Sequence, residues 1–234
     1  MIRWARRAAV AALLGFSAWQ GAQGFYIEAK ARLAQYLVLR AWHAARAGAS
    51  HPRPWPWADT EPLARLVVPG EDVELIVLAG ASGRTLAFGP GHLTGTPLPG
   101  EDGNAVLSGH RDTHFSFLAR LKPGDELAVE RRDGQWRRYV VSGAEVVDQG
   151  QVSLLRDTGD TRLTLVTCYP FAALRPGGPL RYVVTALLRG RERNGGILPD
   201  GLGKQGLQRS VAEESGFRAL FSDGTRPSRP RPAP

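Results

Sequence analysis

Between Leu63 and Leu188 the chain is a succession of short β-rich runs, each closed by turn-forming residues, and this punctuation restricts the fold more than any other feature. The runs are Leu63 to Val68, Val73 to Leu78, Ala105 to Ser108, Glu126 to Glu130, Arg137 to Val147, Arg162 to Cys168 and Leu180 to Leu188. Pro69-Gly70, Pro123-Gly124-Asp125 and Asp133-Gly134 separate several of them, residues that supply tight turns or stop a ladder. One helical piece, Phe115 to Leu121, interrupts the series. Many short strands with so little helix between them predict a mostly β barrel or sandwich and leave no room for alternating βαβ units. Neither a dinucleotide-binding nor a P-loop glycine pattern occurs.

The flanks have a different texture. Arg3, Arg6 and Arg7 precede an apolar run from Ala8 to Phe16 that continues more weakly to Ile27, the mark of a membrane-targeting segment. Ala22-Gln23-Gly24 would serve a cleaved signal peptide, but the pattern does not break after Gly24, which favours an uncleaved signal anchor. Ile27, Ala31, Ala34, Leu37, Val38 and Ala41 then recur at helical spacing, so residues 1–47 read as an anchor helix with an amphipathic extension. Residues 48–62, with Pro52, Pro54 and Pro56 alternating with Trp55 and Trp57, cannot continue that helix and read as a stiff linker. Residues 63–189 form the β-rich domain. Residues 190–234 are rich in Gly, Arg and Pro, a composition expected to be disordered, with a short helix conceivable over Val211 to Leu220.

Charge follows the same division. The chain carries 30 basic and 22 acidic side chains, a net +8 that could suggest a nucleic-acid binder. Residues 1–58 hold eight Lys or Arg against one Glu, and residues 189–234 hold nine basic against five acidic. The middle is therefore net negative, and no nucleic-acid partner is expected, because such a surface would put its positive charge on the folded domain.

The single cysteine, Cys168, excludes an intramolecular disulfide framework. It ends the alternating run Thr164-Leu165-Val166-Thr167-Cys168, where Tyr169-Pro170 stops the ladder, so its thiol is expected at a barrel rim. A thiol is a poor nucleophile until deprotonated, which calls for an imidazole or a cation nearby. His110 is a candidate partner: Gly109-His110-Arg111-Asp112 follows a short apolar strand and opens a loop, where functional side chains tend to project.

These residues resemble the signatures of sortases. Thr164-Leu165-Val166-Thr167-Cys168 matches their TLxTC motif, Gly109-His110-Arg111 their histidine motif, and Arg181 in Leu180-Arg181-Tyr182-Val183-Val184 their arginine, 13 residues after the cysteine and in the family order His, Cys, Arg. Gly89-Pro90-Gly91-His92 and Leu98-Pro99-Gly100 extend the resemblance, which covers roughly Leu63 to Leu188. Trp55-Pro56-Trp57-Ala58-Asp59, Cys168-Tyr169-Pro170-Phe171 and the N-terminal anchor look like the proteobacterial, Gram-negative class of the family.

The resemblance implies an eight-stranded β-barrel with short helices and a cysteine transpeptidase acting on a protein with an LPxTG-like sorting signal. Cys168 would be the nucleophile, His110 the proton carrier and Arg181 the stabiliser of the oxyanion, with an amine of the cell envelope as acceptor. Thr167 could add a hydrogen bond near the oxyanion or simply fill the barrel interior, and Asp112 could orient His110 or pair with Arg111. Arg175, in the Leu174-Arg175-Pro176 loop, competes for the arginine role from a less regular position. No cofactor is implied, and no His/Cys/Asp/Glu grouping has metal-ligand spacing. The expected location is the inner membrane, single-pass, with the barrel on the periplasmic side. An L,D-transpeptidase would need a Ser-x-Gly-Cys setting that Val166-Thr167-Cys168 lacks. A papain-type protease would reverse the order of cysteine and histidine. A membrane-tethered barrel that only binds a partner, with Cys168 merely buried, is the non-enzymatic alternative.

Overall fold

The computed structural model describes residues 2–156, 159–173 and 177–190. The tail after Gly190, including the helix considered over Val211 to Leu220, and the Leu174-Arg175-Pro176 segment lie outside the described residues.

Eight strands close into a barrel, as the resemblance implied. They are β1 (Pro62–Val68), β2 (Val73–Ala79), β3 (Gly91–His92), β4 (Asn104–Ser108), β5 (Glu126–Arg131), β6 (Trp136–Asp148), β7 (Arg162–Cys168) and β8 (Leu180–Leu188). Around the barrel they run β1-β2-β3-β4-β7-β8-β6-β5, returning to β1. β2 with β3 and β4 with β7 are parallel, and the remaining pairs are antiparallel. Seven strands coincide with the β-rich runs. The eighth, β3, is two residues long, too short to show alternation in sequence. Gly91 is required there, since a Cβ at this position would lie 2.2 Å from the Gly80 carbonyl oxygen.

Alternation decides what the barrel encloses. On β7 the inward residues Leu163 and Leu165 are fully buried, and they meet Leu107 of β4 and Val184 and Ala186 of β8 in one core cluster. Phe115, Phe117, Leu118 and Leu121 join the same core from the segment that follows His110. The helix expected over Phe115 to Leu121 is a shorter 3-10 turn, Ser116–Ala119. With four of its seven side chains driven into the core, the segment is fixed by packing more than by helical hydrogen bonds.

A 45-residue helix, α1 (Ile2–Arg46), precedes the barrel. It ends in a Schellman motif: Ala49 N donates to Ala44 O at 3.0 Å and Gly48 N to Ala45 O at 3.1 Å, with Gly48 at φ +94. Val38, Ala41, Trp42 and Ala45, at helical spacing, are buried where α1 lies along β1 and β2. Arg46 adds an ion pair to Glu130 at 3.1 Å, and Arg65 holds the other oxygen of that buried carboxylate at 2.6 Å. The segment that follows also packs down: Pro52, Pro54, Ala58 and Thr60 are buried, and the Trp55 ring meets Phe88 edge-on at 4.8 Å. Trp57 stays in solvent.

The first two thirds of α1 expose Trp4, Leu13, Leu14, Phe16, Trp19, Phe25 and Ile27. The helix expected at the N-terminus is present; its expected membrane span is not borne out. Among the described residues no helix is long and apolar enough to cross a membrane. Gln20, Gln23 and the glycines at 15, 21 and 24 dilute the apolar run.

Candidate active site

The end of β7 brings Cys168 to the barrel surface. Leu163, Leu165 and Thr167 point inward, so Thr164, Val166 and Cys168 share the outer face. Cys168 is half-buried and free. The notion of a thiol merely buried in the barrel interior is at odds with this parity.

Arg181 is the residue directly opposite Cys168 in the β7–β8 register. Tyr169 N donates to Leu180 O at 3.1 Å, which makes Cys168 and Arg181 a pair of the non-hydrogen-bonded kind. Side chains of such pairs stand on one face with Cβ atoms about 5 Å apart. The guanidinium is held at its base: Nη1 donates to Gly178 O at 2.8 Å and Leu180 O at 2.9 Å, and Nη2 to the Gln149 side-chain oxygen at 2.8 Å. Among the described residues three of its five donors are thereby used.

His110 approaches from the other side. β4 runs parallel to β7 with Ser108 opposite Val166, and two further residues on each strand bring His110 level with Cys168. The extended chain is held there by Gly109 N donating to Val166 O at 3.2 Å and by Thr167 Oγ1 donating to Gly109 O at 2.7 Å. Because Ala105 and Leu107 point into the core, the alternate position of His110 faces outward, and its side chain is exposed. Gly109 cannot be larger, since a Cβ would meet the Phe115 ring at 2.7 Å. His110, Cys168 and Arg181 thus occupy neighbouring positions at the ends of β4, β7 and β8 on the barrel's outer face, with Cys168 on the middle strand.

The supporting residues divide by position. Thr167 is buried, and its hydroxyl proton is committed to Gly109 O, so it acts on the backbone that carries His110. Asp112 is exposed, and its carboxylate acts on His114. The His114 imidazole is held below its usual pKa by burial first and by the charge of His110 second, with Asp112 opposing. Among the described residues no group of three or more His, Cys, Asp or Glu could hold a metal ion.

Several residues of the neighbourhood make contacts that the sequence did not show. Arg111, nine per cent exposed, sends Nη2 to Ala173 O at 2.8 Å in the β7–β8 loop. Tyr169, Phe171 and Tyr182 pack ring on ring just beyond Cys168, with centroids 5.2 to 6.3 Å apart. Asn104 donates to Leu154 O and Arg156 O and accepts from Thr164 Oγ1 at 2.7 Å, which fixes the β6–β7 loop over the start of the β7 outer face.

Comparison with known proteins agrees with the barrel fold. A family model described as the sortase domain matches residues 66–189. Sortase D of Bacillus subtilis is 33% identical over 120 residues, covering 51% of this chain and 60% of that protein. The chain therefore spans less than two thirds of that relative's length. The solved structure of Sortase A from Corynebacterium diphtheriae superposes with a TM-score of 0.52 at 28% identity, over 59% of this chain and 65% of the other. A Sortase D5 transpeptidase of Clostridium perfringens gives a TM-score of 0.50 at 25% identity, over 56% of this chain and 80% of the other.

Proposed function

The chain belongs to the sortase family, and from that premise we propose that it is a cysteine transpeptidase acting on a protein with an LPxTG-like sorting signal. The observation that carries this reading is the position of Cys168 between His110 and Arg181 on three adjacent strand ends.

In the proposed reaction the Cys168 thiolate attacks the carbonyl carbon of the Thr in the signal, forming a C–S bond and an oxyanion. Arg181 would donate its remaining N–H groups to that oxyanion. Collapse of the intermediate breaks the Thr–Gly amide; the leaving amine takes a proton from the His110 imidazolium, and a thioester remains. An incoming amine attacks the thioester, gives its proton to His110 and forms the new amide as the thiolate departs. Thr167 supports both steps by holding the Gly109 carbonyl beside β7.

The same reading puts the protein at the cytoplasmic membrane with its barrel on the periplasmic side, in the proteobacterial class of the family. What supports a membrane tether is the row of exposed apolar side chains on α1 beside Arg3, Arg6 and Arg7. What supports the class is the Trp55-Pro56-Trp57-Ala58-Asp59 lead-in. Full-length protein incubated with LPxTG-type peptides and hydroxylamine tests the reaction. The proposed chemistry gives a threonine hydroxamate with wild type and none with Cys168→Ala; product from both, or from neither, contradicts it.

A further inference from the structure

We propose that Arg111 is a positioning residue that ties the histidine loop to the loop joining Cys168 to Arg181, so that the three reacting side chains keep one geometry. This rests on the sortase-type reading of the site. The segment from Tyr169 to Pro179 begins at the thiol strand and ends at the arginine strand, so its placement bears on both. Near its middle, the Ala173 carbonyl accepts from Arg111 Nη2 at 2.8 Å. Arg111 is the residue immediately after His110.

The contacts around His110 form a graded series. Gly109 N bonds Val166 O, Gly109 O receives Thr167 Oγ1, and His110 O receives Phe115 N at 2.9 Å. These bonds fix residues 109 and 110 to β7 and to the core plug, up to the level of the thiol. Arg111 carries the tie past Cys168 into the loop beyond it. The part of the loop from Tyr169 to Ala173 is held on its own side as well: Ala173 N bonds Pro170 O, and the Tyr169, Phe171 and Tyr182 rings pack it onto β8.

Burial argues that the contact is selective. His110 and Asp112, on either side, are exposed, while Arg111 is nearly withdrawn from water. Withdrawing a guanidinium from water costs hydration that fixed acceptors must offset, and the Ala173 carbonyl is such an acceptor.

Hydrogen exchange and steady-state kinetics on full-length wild type, Arg111→Gln and Arg111→Lys test the proposal. Loss of a charge-assisted hydrogen bond is expected to speed exchange at the Phe115 and Ala173 amides by about tenfold in Arg111→Gln. Amides of the β1–β5 ladder, on the far side of the barrel, keep their wild-type rates. The same variant is expected to lose about tenfold in kcat with KM near wild type. Arg111→Lys, which keeps a buried cation with a single-point donor, falls between the two in both measurements and stands in for Arg111→Gln if that chain does not fold. Wild-type exchange at both amides, or accelerated exchange with unchanged kcat, overturns the proposal. Wild-type protein inactive on every sorting-signal peptide sinks the transpeptidase reading instead, and the exchange rates still decide whether Arg111 holds the two loops together.

Discussion

Cys168 and Arg181 are cross-strand partners, directly opposite each other on β7 and β8. Their relation is set by backbone register, so it does not depend on side chains finding one another across a flexible cleft. A one-residue slip of β8 would turn Arg181 into the barrel and bring Tyr182 or Leu180 opposite the thiol.

Replacing Arg181 separates charge from geometry. Arg181→Ala is expected to lower kcat by about 100- to 1,000-fold, the usual consequence of losing one oxyanion donor. Arg181→Lys recovers only part, because an ammonium cannot hold Gly178 O and Gln149 while also reaching the oxyanion. Steady-state kinetics on a sorting-signal peptide measures both.

Thr167→Val keeps the shape of the side chain and removes its hydrogen bond to Gly109 O. A buried carbonyl left without its donor costs about 1–3 kcal/mol, so the variant should unfold at lower denaturant and turn over more slowly. Thr167→Ser restores the hydroxyl and should restore both. Equilibrium urea denaturation beside kcat is the measurement.

The docked end of α1 contributes to barrel stability. Trp42→Ala removes a buried ring from between the helix and the sheet and is expected to cost about 3–5 kcal/mol. Glu130→Ala removes the carboxylate that Arg46 and Arg65 share but leaves Arg65 its pair with Glu74 and Arg46 its bond to Arg132 O, so it should cost less, about 1–3 kcal/mol. Thermal unfolding of the two variants checks this. A fragment starting at residue 50 is expected to be less stable than the full chain.

His114 gives the fold a pH dependence. Its folded pKa lies below its ordinary value of 6.5, so the unfolded chain binds the proton more readily. This contribution therefore favours the fold above about pH 6.5 and declines as pH falls below it. His114→Gln removes the titration and should flatten the stability profile across that interval, as read by denaturant midpoints at several pH values.

Much of this was legible in the sequence because alternation and turn residues act locally. The run from Arg162 to Cys168 showed both its alternating leucines and its exit point, and Tyr169-Pro170 marked where the ladder stops. The reading stopped where partners are distant. Nothing near Glu130 in sequence indicates that arginines 84 and 65 positions earlier share its carboxylate. Arg111 was visible only as part of a motif, since its acceptor lies 62 residues away on a backbone carbonyl, which carries no sequence identity. The helical stripe through Leu37, Val38 and Ala41 was visible, yet its burial against β1 and β2 was not. An amphipathic face looks the same whether it meets a barrel or a membrane, and here the docked end meets the barrel.

The most direct test of the central claim, that Cys168 is the nucleophile of an acyl transfer, is intact-protein mass spectrometry of the full chain incubated with an LPxTG-type peptide and no amine acceptor. The account predicts a covalent adduct equal to the peptide truncated after its Thr, located on Cys168, labile to hydroxylamine and absent from Cys168→Ala. Peptide cleavage with no adduct on Cys168, or an adduct that survives in Cys168→Ala, would contradict it.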